Sequence, residues 1–390
     1  MEKSYKLGLI FDNLADELNI TEEMLKKAET AYDSLGDYLK SKNDEWDVVV
    51  YPQGSFELGT VVKPVNSKEQ YDVDLVVLIK SPVFGAKEIR AEVRELLTAY
   101  GRYEGMIEDK KPCIRIRYSD SSQFHMDIAC AKNCATHDNT IEIARHDGTG
   151  LYYYDISNPQ GYIDWFKKAM QYETILKEHV VMHSAQTTVE DLRLSRMRNP
   201  LQKAIQILKR HRDIYFTNKP NSDKRPASII ITTLCAMAYE DTFGLYEKNN
   251  VYLTILNMLE QFPKYLEKNS DGEYWLNNPS NTSENFLNKW NDDQTLVSAF
   301  NEWIIKAKKD IVVNPEEFIE SDQQNLKKSL SESFGQEIAE NTLVNFGKRI
   351  GEMADAGELL FEKDGGNITA DKTRGTEYNR HTYFGGTYER

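Results

Sequence analysis

Asp72 and Asp74 stand two residues apart in the run Asp72-Val73-Asp74-Leu75-Val76-Val77-Leu78-Ile79. The β-branched, apolar character of residues 72–79 predicts a strand, buried toward its end. Side chains alternate across a strand, so both carboxylates project from one face while Val73 and Leu75 turn to the core. Residues 124–130 repeat the pattern: Phe124, Met126, Ile128 and Cys130 point one way, His125 and Asp127 the other. With those two strands as neighbours, Asp72, Asp74 and Asp127 converge. Three like charges cannot share a site cheaply without cations between them. A hard divalent ion with oxygen ligands, Mg²⁺ or Mn²⁺, suits them. Two such ions about 3.5–4 Å apart are the usual device for in-line phosphoryl transfer. Taken alone, D-x-D is common and more often marks a solvated strand edge, with Asp127 an ordinary surface acid; the residues upstream lift the catalytic reading.

Upstream the chain reads Gln53-Gly54-Ser55-Phe56-Glu57-Leu58-Gly59-Thr60. This is a Gly-Ser turn leaving a short strand at 47–53, just before the carboxylate strand. Glycine lets backbone approach a phosphate closely, and consecutive N–H groups at a helix start bind an anion. The Ser55 hydroxyl adds a donor.

These residues need elements to hold them. A helix capped by Asn19 or Thr21 is expected to run to about Lys40, with Glu22 and Glu23 in its first turn. Ile89, Val93, Leu96, Leu97 and Tyr100 give residues 86–102 a helical period, and alternating strands follow at 113–118 and 124–130. Beyond residue 160 the chain becomes helical, with helices expected at 200–216, 228–240, 251–266, 293–309, 322–331 and 336–354. Residues 364–390 lack an apolar period and are expected to form a flexible tail. The length of 390 residues implies two to three domains at about 150 residues each.

Composition narrows the function classes. A net charge of −14 argues against a constitutive nucleic-acid coater, whose affinity comes from phosphate neutralisation. Four cysteines are too few and unevenly spaced for a disulfide framework. No apolar run approaches a membrane span, and the N-terminus lacks a signal-peptide pattern, so a cytoplasmic globular protein is expected. Against the acidic background, residues 193–225 hold ten Lys or Arg and two Asp, a local charge of +8. Such a stripe is ordinarily a solvated face, and no aromatic interleaving marks it as a nucleic-acid groove. Cys130, Cys134 and His137 approach zinc spacing without an evident fourth ligand, and read as free thiols. Trp165, Trp275, Trp290 and Trp303 read as core.

The order G-S-x-x-x-G-T, D-x-D and a later third Asp resembles the polymerase-beta-like nucleotidyltransferases. More closely, the chain is similar to the bacterial CD-NTases, relatives of animal cyclic GMP-AMP synthase and oligoadenylate synthases. The likeness rests on Gln53 to Pro64, Tyr71 to Val76 and Phe124 to Ala129. It continues through Ser157 to Phe166, Ala204 to Asp213, Asn278-Pro279 and Glu284-Asn285-Phe286, spanning roughly residues 45–350. It implies an α+β, two-lobed fold: a mixed catalytic lobe over 1–180, a helical nucleotide-binding lobe over 181–360 and a tail over 361–390. It further implies that Asp72, Asp74 and Asp127 hold two Mg²⁺ or Mn²⁺ ions, with Asp127 helping to activate the acceptor hydroxyl. Gln53, Gly54, Ser55, Lys209 and Ser228 would bind the donor NTP, ATP among the substrates. The family often has an aromatic after that serine; here Ile229 stands there, and the base-stacking residue stays unassigned.

The implied reaction makes a cyclic di- or trinucleotide messenger for anti-phage signalling. A linear oligonucleotide or RNA-tailing synthase, or a protein-nucleotidylating transferase, would share the same acids. The tail segment Asn379-Arg380-His381-Thr382-Tyr383-Phe384-Gly385-Gly386 is similar to C-termini engaged by ubiquitin-activating-like conjugating enzymes, although Thr387 to Arg390 follow the Gly-Gly.

Overall fold

Val48–Gln53 (β1) and Tyr71–Ile79 (β2) are rich in β-branched and aromatic residues. In the computed structural model they pair antiparallel, Gln53 opposite Asp74. The structure describes residues 3–41, 48–66, 69–80, 85–118, 124–135, 140–181, 198–217, 219–242, 250–358, 360–362, 368–369 and 375–377. The four-residue helix Gly54–Glu57 (α3) follows β1 directly. β2 lies parallel to Phe124–Asn133 (β5), Asp72 opposite His125 and Asp74 opposite Asp127. Ile107–Asp109 (β3) and Ile114–Arg117 (β4) extend the sheet, with Arg115 opposite Asp127. The far end of β5 pairs with Ile141–His146 (β6), which pairs with Tyr152–Ser157 (β7), completing seven strands.

Glu22–Ser41 (α2) and Ala86–Ala99 (α4) cover one sheet face, packing on Val73, Leu75, Val77, Met126 and Ile128. Thr21 Oγ1 accepts the Met24 N–H at 3.2 Å, so Thr21 rather than Asn19 caps α2. On the opposite face, Val76, Leu78, Ala129 and Ile143 form a smaller core. By alternation, Asp72 and Asp74 share that face with Val76 and Leu78. The strand is acidic where it begins and apolar where it is covered.

The larger core is helical. Lys3–Glu17 (α1), the start of Pro159–Val181 (α5), Pro200–Phe216 (α6), Ser228–Thr242 (α7), Val251–Gln261 (α8), Asn288–Asp292 (α9), Gln294–Ala307 (α10), Asn314–Ser321 (α11), Gln323–Phe334 (α12) and Gln336–Asp355 (α13) contribute to it. Leu201, Ile205 and Leu208 of α6 are fully buried, each contributing about 1.5–3 kcal/mol. That offsets the cost of burying Lys209, Arg210 and Arg212 on the same helix. The two large cores do not divide at residue 180: α1 and the start of α5 pack with the helical one. The segments at 157–158 and 278–284 meet: Asn158 Nδ2 donates to Ser280 O at 3.2 Å, and Ser157 Oγ to Glu284 Oε2 at 3.1 Å.

Several sequence expectations change. The helix expected over 86–102 ends at Ala99. α1, α5, α11, β6 and β7 were not anticipated, and a short hairpin, Asn277–Asn278 (β8) with Asn281–Asn285 (β9), interrupts the helical half. Trp290 and Trp303 are buried and Trp165 partly so, but Trp275 lies in the loop before β8 and is 37% exposed. The segment expected to be a structureless tail contains two short strands, Ile368–Thr369 and Gly375–Glu377, both pairing with Leu360–Glu362. The tail motif over 379–390, with His137, Arg193 and Arg196, lies outside the described residues. Among the described residues, no helix is long and apolar enough to cross a membrane.

Candidate active site

Gly54 opens α3 with φ +65°, a left-handed conformation costing other residues about 1–2 kcal/mol. A Cβ at this position would stand 2.3 Å from Asp74 Oδ2. The turn backbone therefore lies directly against the second carboxylate of the pair, and only glycine fits. Beyond the turn, the chain rests on α6. Gln202 Nε2 donates to Leu58 O at 3.0 Å, Gln206 Nε2 to Val61 O at 2.6 Å, and Lys209 Nζ to Thr60 Oγ1 at 3.0 Å. Buried polar side chains of one helix satisfy loop oxygens that would otherwise need water. They also tie the Gly-Ser turn to the helical core.

The carboxylates meet as the strand alternation requires. The ligand-type atoms of Asp72, His125 and Asp127 all lie within 4.8 Å of one another. His125 Nε2 is 2.6 Å from Asp72 Oδ1 and 3.8 Å from Asp127 Oδ1. Arg115 holds Asp127 with two hydrogen bonds, Nε to Oδ1 at 2.7 Å and Nη2 to Oδ2 at 2.8 Å. Burial pushes the Asp74 carboxyl up to about 8, helped by the charges of Asp72 and Asp127. For Asp72, burial also acts upward, but the neighbouring His125, Arg115 and Arg225 outweigh it and hold the group below its ordinary value. A carboxyl raised this far by burial and by neighbouring carboxylates marks a place for added positive charge. The residues present thus fit a divalent cation: oxygen donors converge, the charges of Lys209 and Arg115 do not offset the burial of Asp74 and its carboxylate neighbours, and the buried His125 Nε2 has no hydrogen-bond partner.

A cavity of about 570 Å³ opens beside the acids, lined among others by Ser55, Thr60, Asp72, Lys209, Arg212 and Ser228. Burial, with Arg212 nearby, lowers Lys209 to about 7. A buried lysine beside a guanidinium is suited to an anion that repays its lost hydration. Arg212 Nη1 donates to Ser228 Oγ and to Pro226 O, both at 3.0 Å, holding the start of α7 against α6. The basic stripe is thereby divided. Lys209, Arg212 and Arg225 face the cavity. Lys203 pairs with Asp12 at 2.6 Å and Lys224 with Asp293 at 2.8 Å, both structural contacts.

The structure brings Ser55, Asp72, Lys209 and Ser228 to one cavity, with Gly54, Asp74 and Asp127 adjoining through the turn and the sheet. Gln53 sits on β1 opposite Asp74. Arg115 and Arg212 were not singled out as site residues from the sequence. The signal for Arg115 was present in Ile114-Arg115-Ile116, whose alternation turns Arg115 from the core. Its partner depended on a strand pairing that local pattern does not specify.

Residues 48–130 match the family described as cyclic GMP-AMP synthase DncV-like, nucleotidyltransferase domain. A c-di-GMP synthase of Roseivirga ehrenbergii is 28% identical over 305 residues, covering 74% of this chain and 77% of the relative. The cyclic dinucleotide synthase CdnG of Bradyrhizobium diazoefficiens is 20% identical over 388 residues, covering 92% of this chain and 88% of the relative. The solved structure of that CdnG in complex with GTP superposes with a TM-score of 0.65 at 18% identity, over 87% of this chain and 99% of that one. The Vibrio cholerae DncV cyclic AMP-GMP synthase, solved with a linear intermediate, superposes with a TM-score of 0.54 at 14% identity, over 87% of this chain and 89% of that one.

Proposed function

Proceeding from a chain that belongs to the bacterial CD-NTase family, we propose that it is a cytoplasmic enzyme joining nucleoside triphosphates into a cyclic dinucleotide. The observation that carries this reading is the convergence of Asp72 and Asp127 with His125 across β2 and β5, Asp74 standing opposite Asp127 in the same register, beside a cavity lined by Asp72, Lys209 and Ser228. The relatives named for c-di-GMP synthesis, and a structure solved with GTP, make GTP the first substrate to test and ATP the second.

In each step a ribose hydroxyl oxygen bonds to the α-phosphorus of an NTP. The bond from that phosphorus to the bridging oxygen breaks, and pyrophosphate leaves with the electron pair. Asp72, Asp74 and Asp127 would hold two divalent ions, Mg²⁺ or Mn²⁺, which when bound neutralise the triphosphate and acidify the acceptor hydroxyl. The hydroxyl proton leaves toward this carboxylate cluster. The Gly54-Ser55 turn presents backbone N–H groups to the triphosphate. Lys209, already desolvated, gains an anionic partner there, and Ser228 adds a hydroxyl held in place by Arg212. The gain over the uncatalysed reaction comes mainly from positioning and charge.

The decisive experiment incubates the protein with all four NTPs and Mg²⁺ or Mn²⁺, followed by mass spectrometry of phosphatase-resistant products. A resistant cyclic dinucleotide supports the reading. A phosphatase-sensitive chain indicates a linear synthase, and label transferred to protein indicates a nucleotidylating transferase. We extend the proposal to the product's use as a second messenger in anti-phage signalling, and to capture of residues 379–390 by a ubiquitin-activating-like enzyme. Deleting those residues is expected to spare synthesis by purified protein and to prevent that capture.

A further inference from the structure

His125 is placed by β5 directly opposite Asp72 in the parallel register, on the face that carries Asp127 two residues on. Its side chain is 9% exposed. Buried imidazole nitrogens are ordinarily hydrogen-bonded, yet Nε2 makes no hydrogen bond of ordinary geometry, and its near neighbours are two carboxylates. The nitrogen lies 2.6 Å from Asp72 Oδ1, but the approach is off the direction a hydrogen bond requires. Its second neighbour is Asp127 Oδ1 at 3.8 Å. An orphaned donor–acceptor nitrogen, nine-tenths buried, is therefore aimed between two carboxylates at the edge of the cavity.

Those separations lie within a few tenths of an ångström to about 0.8 Å of those that neighbours around a metal ion adopt. Donors at about 2.1 Å from an octahedral ion stand roughly 3 Å apart when adjacent and roughly 4.2 Å apart when opposite. The 2.6 and 3.8 Å separations approach the first and fall between the two, so small side-chain movements suffice. Resting on the nucleotidyltransferase reading above, we propose that His125 Nε2 is a direct ligand of one of the site's divalent ions, giving a mixed nitrogen–oxygen site with Asp72 and Asp127. An imidazole ligand shifts selectivity away from Mg²⁺, which prefers oxygen donors, toward Mn²⁺ and Co²⁺. It also gives His125 a role distinct from an ion pair with Asp72, because a coordinating Nε2 is unprotonated and donates its lone pair to the ion.

The test uses the full-length protein with Mn²⁺ alone, without nucleotide. Electron spin-echo modulation of bound Mn²⁺ reads nitrogen coordination directly. The wild type is expected to show ¹⁴N modulation that disappears in His125→Gln, with Mn²⁺ affinity falling roughly tenfold or more and Mg²⁺ affinity falling less. Absence of ¹⁴N modulation in wild type overturns the proposal, as does its persistence in His125→Gln. If that variant fails to fold by circular dichroism, loss of the ¹⁴N signature on selective ¹⁵N-histidine labelling of the wild type supports the assignment, and its retention overturns it. A protein that makes a cyclic dinucleotide without nitrogen modulation would sink this inference while leaving the functional reading intact. Nitrogen coordination without any nucleotide product would do the reverse.

Discussion

Arg115 grips Asp127 through one edge of its guanidinium, Nε on Oδ1 at 2.7 Å and Nη2 on Oδ2 at 2.8 Å, across adjacent strands β4 and β5. The carboxylate expected to help bind cations is thus already neutralised by a cation the protein supplies. Arg115 in turn is held firmly charged by Asp127, whose hydrogen bonds raise its pKa. Asp127 stays oriented in the absence of ions, and any ion must compete with a fixed guanidinium. Arg115→Met should lower stability by about 1–3 kcal/mol without added metal, since a partly buried carboxylate loses its partner. The same variant should gain more stabilisation from Mn²⁺ than wild type does. Thermal melts with and without Mn²⁺ check this; an Mn²⁺-induced shift equal to that of wild type counts against the competition.

Asp72→Asn together with Asp74→Asn is expected to abolish nucleotide synthesis and leave the fold intact. Burial and two neighbouring carboxylates already push Asp74 up to about 8, so removing like charge relieves repulsion. Product analysis and a melting curve on the same preparation decide the matter. Near-normal turnover in the double variant would remove these acids from the chemistry.

Lys209→Met separates binding from stability. The lysine is fully enclosed and lowered to about 7, chiefly by burial; replacing it with an apolar side chain of similar length removes a buried charge but leaves the Thr60 oxygens without their donor, so the two effects oppose and stability should change by no more than about 1–2 kcal/mol. Donor NTP binding should weaken at least tenfold, because the replacement cannot repay a phosphate charge. Titration with a non-hydrolysable NTP measures the second effect and urea unfolding the first. Unchanged affinity would place Lys209 among the purely structural contacts to Thr60.

Gly54→Ala tests the close approach of turn and acid. A side chain at φ +65° costs about 1–2 kcal/mol, and its Cβ would meet Asp74 Oδ2 at 2.3 Å. The expected result is a modest loss of stability with a much larger loss of synthesis. A variant that keeps full activity would show that Asp74 can move without consequence.

The helical core carries a pH dependence of definite sign. Trp303 Nε1 donates to His211 Nδ1 at 3.0 Å, which leaves the imidazole proton on Nε2, facing Asp310 Oδ2 at 3.1 Å. Burial lowers the His211 pKa despite Asp310. For Asp310, burial acts upward, but His211 and Lys306 outweigh it and the net shift is down. Both groups bind protons less readily when folded than when unfolded, so stability rises with pH. The His211 contribution is complete above about pH 6.5 and fades as pH falls below it; that of Asp310 is lost below about pH 4. Urea unfolding at pH 7.5, 5.5 and 4 should show progressive loss, and His211→Asn should flatten the first step. A first step as steep in that variant as in wild type would assign it to other groups.

Much of the site was readable before any fold was known. Period-two alternation put Asp72 with Asp74 and His125 with Asp127 on common faces. The glycine at 54 marked a turn with special backbone needs, and the apolar spacing of Leu201, Ile205 and Leu208 matched the bounds of α6. These are local properties, dictated by bond geometry within a few residues. Pattern was weaker where it was interrupted: α1 contains Gly8, whose lack of a side chain accommodates Asn250, and the short β6 and β7 gain their stability from pairing with each other and with β5. The meeting of β2 with β5, the pairing of Arg115 with Asp127, and the choice of which basic residues face the cavity were decided by tertiary structure. Each depends on segments tens of residues apart, and their contact energy exists only once the chain has closed the loops between them.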